Sequence, residues 1–171
     1  MPEQFDIYNA RKERTGEFGT RGVALAAGQF RFVGHVIIFD STCEKVLIQK
    51  RREDKEAWPG YWDFTAGGSA IAGEEIYQAA ERELFEEVGL KLDLSNTASR
   101  LTLSFHEGWD EVYLVKQDVE LTDLVIQAEE VAEVRWVTEE ELRQLISTGR
   151  FVRSIYNDVI FELARTDEAT L

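Results

Sequence analysis

The sequence predicts an α+β fold in which helices cover a mixed β-sheet. Strand-like and helix-like segments mix along the chain without strict β–α–β alternation, which favours a layered sandwich. Residues 30–39 are rich in β-branched and aromatic residues, which is typical of a strand. Residues 74–88 place Ala80, Leu84 and Val88 along one side of a helix, and such an apolar stripe can pack on a sheet.

The other strands are predicted from similar runs of β-branched and aromatic residues. The six predicted strands are residues 5–8, 30–39, 45–51, 101–106, 112–116 and 131–137. The second and third of these should form a hairpin, and the fourth and fifth should flank a turn at 107–110. Pro59 and Gly60 stand at the positions that a type II turn favours.

Three helices are expected. The first covers 74–88 and ends at Gly89, a normal residue for a helix C-terminus. The second follows Thr138, which forms a capping box with Glu141. The third covers 151–164. Residues 11–19 are predicted to be a polar turn region and 21–27 to be weakly helical. We expect one domain over residues 1–165 and a disordered tail over 166–171.

The composition of the chain argues against several classes of function. The formal net charge of -14 argues against non-specific binding of nucleic acid or anionic membranes, which needs clustered Lys and Arg. It still allows a phosphorylated substrate, because a cation held by carboxylates reverses the local field. The apolar runs are too short to span a bilayer, and the first ten residues lack the order of a signal peptide. One cysteine, Cys43, excludes an internal disulfide. We therefore expect a cytoplasmic protein.

Glutamates crowd the predicted first helix. Glu83, Glu86 and Glu87 stand at i, i+3 and i+4, so their carboxylates share one face. Such a face is either a solvated acidic surface or a site for a divalent cation. Mg²⁺ prefers oxygen ligands and is usually held by a few carboxylates together with substrate phosphates.

The spacing around this face resembles a known motif. Residues 68–90 contain a glycine, a glutamate and the run Arg-Glu-Leu-Phe-Glu-Glu-Val-Gly-Leu, and they resemble the Nudix box at every defined position. The resemblance implies a Nudix-type α/β/α sandwich with a mixed sheet. It also implies an enzyme that cleaves a diphosphate linked to another moiety, using Mg²⁺ or Mn²⁺ and an attacking water.

The resemblance also implies roles for individual residues. Glu86 and Glu87 correspond to the core metal ligands of the family. Glu83 corresponds to a further ligand or to the base that deprotonates the water, and the carbonyl of Gly68 to another ligand. Members often recruit an acid from a later loop, and Glu130 is our candidate, although a solvated acidic turn explains it equally well.

Two further roles around the box are expected to be structural. Arg82 precedes Glu86 by four residues and should steady that carboxylate. Glu74, at the start of the predicted helix, should support the preceding loop and interact favourably with the helix N-terminus.

A second resemblance concerns residues 55–74, which look like the corresponding stretch of isopentenyl-diphosphate isomerase, a Nudix-fold enzyme. The isomerase carries a catalytic cysteine and a metal-binding histidine where this chain has Gly67 and Ser69. The resemblance thus implies a hydrolase of an isomerase-like subgroup that lacks the isomerase cysteine. Arg51 and Lys55 align with residues that contact the diphosphate, and their alternative role is as solvated surface cations.

Several alternatives stay open at this point. The chain is a hydrolase, an isomerase, or a non-catalytic Nudix module that senses a nucleotide or binds a partner; the intact box favours the first. Nucleoside diphosphates, nucleotide sugars, dinucleotides and prenyl diphosphates all remain candidate substrates, and a homodimer is one option for the assembly. His35 is expected to be structural. Trp58, Trp62 and Trp109 either wall a ligand pocket or pack in the core.

Overall fold

A computed structural model describes residues 2–166 of the chain. The nine strands are β1 (Gln4–Tyr8), β2 (Arg14–Thr20), β3 (Arg31–Phe39), β4 (Lys45–Arg51), β5 (Trp62–Phe64), β6 (Ala66–Ser69), β7 (Leu101–Phe105), β8 (Gly108–Lys116) and β9 (Val131–Thr138). The three helices are α1 (Ile76–Val88), α2 (Glu139–Ser147) and α3 (Ile160–Arg165), and a 3₁₀ turn covers Leu121–Asp123. Strands β1 and β2 form a small separate sheet, and the other seven form one mixed sheet. The predicted α+β class is confirmed.

The seven-stranded sheet divides into two halves. In one half, β3 pairs in parallel with β8 and antiparallel with β6, and β8 pairs with β7. In the other half, β4 pairs antiparallel with β5 and β9. The halves join where Phe39 of β3 pairs with Val46 of β4. The predicted hairpin is therefore confirmed at its closed end, and beyond it the two strands take different partners and leave a space between the halves.

Helix α1 packs on β3 and β6 through the predicted apolar stripe. Ala80, Leu84 and Val88 are fully buried, and burying a leucine side chain contributes about 1.5–3 kcal/mol. Gly34 of β3 allows this close contact, because a Cβ there would lie 3.0 Å from the Ile76 carbonyl oxygen. The helix ends as predicted, at Gly89, which has a φ of 77°.

The opposite side of the sheet forms a second core beneath α2 and α3. Phe39 packs edge-on against Phe161 of α3, with ring centroids 5.2 Å apart. Phe64 of β5 packs in the same way against Phe151, at 4.9 Å. The predicted capping box starts α2: the Thr138 side chain accepts a hydrogen bond from the Glu141 N–H. This core fixes the chain after α2 against β5.

Three local predictions were wrong in the N-terminal third and around β8. Residues 14–20 form β2 instead of a turn, because they pair with β1 although most of their side chains are exposed. Residues 21–27 contain no helix. The predicted turn at 107–110 is shorter, because β8 begins at Gly108.

The C-terminal helix is also shorter than predicted. Phe151 forms an isolated bridge with Trp62, and turns follow, so α3 begins only at Ile160. Residues 167–171 of the expected tail lie outside the described residues. Between residues 2 and 166, no helix is long and apolar enough to cross a membrane.

Candidate active site

The three predicted glutamates lie on the last two turns of α1 in different environments. Glu87 is only 6% exposed, and its carboxylate accepts hydrogen bonds from the Gln49 amide (2.8 Å) and from the Gly67 backbone N–H (3.4 Å). The Glu83 side chain is 17% exposed and that of Glu86 is 48% exposed. One acid is thus buried, one is partly covered and one is open to solvent.

Arg82 connects these acids to the loop before α1. It donates to Glu83 Oε1 at 2.8 Å and to Glu86 Oε2 at 3.2 Å. It also donates to Glu74 Oε1 at 2.8 Å and to the Ser69 carbonyl oxygen at 3.1 Å. The predicted contact with Glu86 is therefore present, and Arg82 in addition links α1 to the end of β6.

Gly68 lies directly against the acidic face. A Cβ at this position would be 2.3 Å from the carboxyl carbon of Glu83, so any other residue would displace that carboxylate. The glycine therefore brings the β6 backbone next to Glu83. This arrangement is compatible with a cation held by both the carboxylate and a backbone carbonyl.

Burial makes this group of acids electrostatically unfavourable. Loss of hydration, followed by the charge of Glu83, raises the pKa of Glu87 to about 8. Burial also raises the pKa of Glu83, although its hydrogen bond with Arg82 acts in the opposite direction. Hard oxygen donors with too few positive neighbours suit Mg²⁺ or Mn²⁺. The residues present therefore fit a divalent cation.

The acids do not form a ready-made metal cluster. Among residues 2–166, no three Asp, Glu, His or Cys side chains stand close enough together to hold a metal ion as they are. Arg82 and Gln49 instead hold the carboxylates of Glu83, Glu86 and Glu87. An incoming cation would compete with Arg82 for Glu83 and Glu86.

The other predicted residues gather at the start of β9. Lys55 forms an ion pair with Glu130, and Arg51 donates to the Ala57 carbonyl oxygen at 3.1 Å. The loop of Glu130 is attached to the end of α1, because the backbone N–H of Gln127 donates to the carbonyl oxygen of Glu87 at 3.0 Å. The structure thus brings Lys55 and Glu130 together beside the C-terminal end of α1.

A second polar group, His35, Asp63 and Asp110, lines a cavity of about 550 Å³. Sequence reasoning expects His35 to be structural and does not single out the two aspartates. Nδ1 of His35 and Oδ1 of Asp110 are 2.6 Å apart, and Asp63 lines the same cavity. Burial acts to lower the pKa of His35, but the hydrogen bond and charge of Asp110 outweigh it and the pKa is raised. Burial raises the pKa of Asp63.

The three tryptophans considered as walls of a ligand pocket do not line this cavity. Trp58, Trp62 and Trp109 are not among its lining residues. Trp62 is buried beneath Arg135, and Trp109 packs against two phenylalanines of the chain. The packing alternative therefore holds for Trp62 and Trp109.

Comparisons with known proteins agree with this geometry. Residues 30–158 match the family model of the NUDIX domain. A Nudix hydrolase of Listeria innocua is 47% identical over 161 residues, which are 94% of this chain and 95% of the relative. Nudix hydrolase 3 of Arabidopsis thaliana is 33% identical over 157 residues, which are 85% of this chain and 20% of that larger protein.

Solved structures show the same fold. The crystal structure of DR0079 from Deinococcus radiodurans has a TM-score of 0.74 at 20% identity and covers 96% of this chain and 100% of that chain. A MutT protein from Methanosarcina mazei has a TM-score of 0.61 at 18% identity and covers 80% and 94%. The chain therefore belongs to the Nudix family and is a Nudix hydrolase, an enzyme of the class that hydrolyses diphosphate linkages.

Proposed function

We propose that this enzyme uses Mg²⁺ or Mn²⁺ and a water molecule to cleave a diphosphate linkage in a small molecule. The substrate is a nucleoside diphosphate linked to another moiety, or a related diphosphate. The observation that carries the proposal is the crowding of Glu83, Glu86 and Glu87 on one face of α1, with Glu83 directly against Gly68. A polyanionic substrate can approach such a face only if a cation lies between them.

The residues of the proposed site have different roles. Glu86 and Glu87 would hold the cation, with the Gly68 carbonyl and Glu130 as further ligands. Glu83 either completes this set or accepts the proton of the attacking water; Arg82 binds its Oε1, so we assign the proton to Oε2. The bound cation would neutralise charge on the diphosphate and activate the water.

Fixed cations complete the proposed phosphate site. Arg51 and Lys55 would contact the phosphate oxygens that the metal does not neutralise. An arginine can bind two such oxygens at once, whereas a lysine supplies a point charge. Because Lys55 already pairs with Glu130, it lies beside a proposed ligand of the cation.

We favour a hydrolase of the isomerase-like subgroup over an isomerase. The position of the isomerase cysteine is Gly67, and a Cβ there would lie 2.0 Å from Cδ2 of His35. No side chain fits at Gly67 unless His35 moves, so the site lacks room for that cysteine. The complete set of acids also disfavours a purely non-catalytic module.

The setting we propose is a cytoplasmic enzyme in which residues 1–165 act as one domain. The net charge of -14 disfavours nucleic acid and anionic membranes as partners and is compatible with a small-molecule substrate. Assembly as a homodimer is an option that gel filtration with light scattering would test.

The decisive experiment is a panel of diphosphate compounds with Mg²⁺, with products identified by mass spectrometry. We expect turnover of at least one compound and a loss of at least about 100-fold in Glu86→Gln, because a catalytic ligand contributes several kcal/mol. Glu140→Gln removes an exposed glutamate of α2 and should keep full activity. Full activity in EDTA, or in Glu86→Gln, would contradict the assignment.

A further inference from the structure

A two-stranded hairpin precedes the part of the chain that matches the family model, and it packs against the loop before α1. The hairpin consists of β1 and β2, and the matching residues are 30–158. The loop covers residues 70–75, between the end of β6 and the start of α1. We call it the box loop, because it lies within the Nudix box. It connects the strand of Gly68 to the helix of the proposed metal ligands.

The hairpin binds the backbone of three successive residues of the box loop. The Ala72 N–H donates to a carbonyl oxygen of β1 at 2.8 Å. The Gly73 N–H donates to Oδ2 of Asp6 at 2.9 Å. Nη2 of Arg14 donates to the carbonyl oxygen of Glu74 at 2.5 Å. These bonds fix the path of the loop as it enters α1.

Arg14 is the side chain that joins the hairpin to the loop at most points. Its Nε lies 3.3 Å from Oδ2 of Asp6, and its Nη1 lies 3.1 Å from Oε1 of Glu75. Glu75 is the N-cap residue of α1, so the guanidinium lies at the positive end of the helix dipole. The dipole disfavours a cation there. The contacts with the box loop therefore account for the position of Arg14.

The hairpin is also attached to the main sheet. Tyr8 of β1 and Phe30 exchange two backbone hydrogen bonds, of 2.8 and 3.0 Å. The Tyr8 ring packs edge-on against Phe32 of β3, with ring centroids 4.7 Å apart. Phe5 of β1 is buried as well. Because the hairpin is fixed to β3, it can hold the box loop in place relative to the sheet.

The box loop in turn holds Arg82. The carboxylate of Glu74 accepts hydrogen bonds from Nε of Arg82 at 2.8 Å and from Nη2 at 3.2 Å. Nη1 of the same guanidinium donates to Glu83 and Glu86. Only two residues, Glu74 and Arg82, therefore lie between Arg14 and the proposed metal ligands in this chain of contacts.

We propose that Arg14 is a positioning residue for the cation site. By holding the box loop, it keeps Nε and Nη2 of Arg82 on Glu74 and leaves Nη1 to contact the acids of α1. If the loop moved away, the whole guanidinium would be free to bind those acids, where it competes with a cation. This role rests on the proposed function, because it assumes that the acids of α1 bind Mg²⁺ or Mn²⁺. It extends the site to a hairpin outside the Nudix box.

Charge and position predict opposite results when Arg14 is removed. Loss of a positive charge makes the field at the acids more negative, which on its own would tighten the binding of a cation. Loss of position weakens binding, and residues that directly support metal ligands typically contribute about 10- to 100-fold in affinity. Because Arg14 acts through two other residues, we expect Arg14→Ala to bind the cation about fivefold more weakly.

The test measures Mn²⁺ binding to the full chain without substrate, by electron paramagnetic resonance of the free ion. Arg14→Lys should fall between the wild type and Arg14→Ala, because a lysine supplies a point charge and not a fork of donors. Glu86→Gln should also weaken binding, which identifies the site that is titrated. Amide exchange measured by NMR should become faster at Ala72 and Gly73 in Arg14→Ala, since these N–H groups donate to the hairpin.

The matched control is Arg11→Ala, which removes the same charge from the turn of the same hairpin. The Arg11 side chain is 80% exposed, and its recorded ion-pair partner between residues 2 and 166 is Glu13. Its loss should leave the Mn²⁺ affinity unchanged or slightly tighter, and the exchange at Ala72 and Gly73 unchanged. Circular dichroism establishes that each variant is folded; if Arg14→Ala does not fold, the Arg14→Lys result decides.

A hairpin that only stabilises the fold would give a different result. Its variants would have a lower Tm but an unchanged Mn²⁺ affinity. Equal or tighter Mn²⁺ binding in a folded Arg14 variant, with weaker binding in Glu86→Gln, would overturn the positioning role and leave the proposed function standing. Weaker binding in Arg14→Ala, without hydrolysis of any diphosphate, would contradict the proposed function and leave the positioning role standing. No Mn²⁺ binding by the wild type would overturn both.

Discussion

Glu87→Gln should stabilise the metal-free protein at alkaline pH and abolish its stabilisation by Mg²⁺. The carboxylate is buried, and burial together with the charge of Glu83 raises its pKa from an ordinary value of 4.5 to about 8. Glutamine has nearly the same shape and keeps an oxygen that accepts the hydrogen bonds of Gln49 and Gly67. The substitution therefore removes the charge and preserves the packing.

The sign and size of the effect follow from proton binding. Between pH 4.5 and about 8, folded Glu87 keeps a proton that the unfolded chain has released. The free energy of unfolding therefore falls as the pH rises through this window and levels off above it. Each pKa unit corresponds to about 1.4 kcal/mol, so the full shift sets an upper limit of about 5 kcal/mol. We expect a gain of at least about 2 kcal/mol at pH 8.5, which raises Tm by about 4–8 °C.

Thermal melting in EDTA from pH 5 to pH 9 measures this difference. The wild-type curve should fall more steeply with pH than that of Glu87→Gln; some slope should remain, because the pKa values of Glu83, Asp63 and His35 are also raised. Adding Mg²⁺ at pH 8.5 should raise the Tm of the wild type and leave that of Glu87→Gln unchanged, since ligand binding stabilises the folded state.

Glu86→Gln is the matched control. Its side chain is 48% exposed, so the change should alter metal-free stability by about 0.5 kcal/mol or less while still weakening the Mg²⁺ effect. If Glu87→Gln were no more stable than the wild type at pH 8.5 in EDTA, the buried charge at Glu87 would cost far less than its raised pKa implies. If Mg²⁺ raised the Tm of both variants as much as that of the wild type, neither glutamate would be a ligand of the metal ion.

Three further outcomes are expected. Arg51→Ala or Lys55→Ala should lower kcat/KM at least about tenfold, about 1.4 kcal/mol. Arg52→Ala should do much less, since all three of its guanidinium nitrogens already donate to Asp54 or to the Ala128 carbonyl oxygen, and equal small effects in steady-state kinetics would place the phosphate contacts elsewhere. Gly67→Ala should cost about 1–3 kcal/mol of stability in thermal melts, because the added Cβ meets the His35 ring. The cost should be smaller in a His35→Ala background, which lacks the ring, and equal costs in both backgrounds would refute the steric argument. Isopentenyl diphosphate with Mg²⁺ or Zn²⁺ should give no dimethylallyl diphosphate by chromatography, and its formation at enzymatic rates would overturn the preference for a hydrolase.

The features that the sequence predicted well are determined by residues close together in the chain. The apolar stripe and the acidic face of α1 follow from one helical period, and Gly89 ends the helix through its own φ of 77°. The capping box of α2 depends on Thr138 and Glu141, three residues apart. Such features need no knowledge of distant parts of the chain.

The features that sequence reasoning missed depend on partners far along the chain. Strand β2 has exposed side chains along most of its length and lacks apolar alternation, so only its pairing with β1 makes it a strand. The start of the predicted C-terminal helix is replaced by an extended bridge, because Phe151 pairs with Trp62. In both places tertiary pairing overrides the local propensity.

The cavity lined by His35, Asp63 and Asp110 is the strongest case of this limit. His35, Asp63 and Asp110 come from β3, β5 and β8, and no spacing in the sequence relates them. They meet because β3 and β4 pair only at Phe39 and Val46, next to the hairpin turn, and diverge from there toward the start of β3 and the end of β4, which opens the space between the halves. The proposed metal-binding acids thus come from one helix, whereas the polar groups of this cavity come from three separate strands. A local motif can therefore be recognised in the sequence, whereas a group assembled from separate strands is found only when the pairing of the sheet is known.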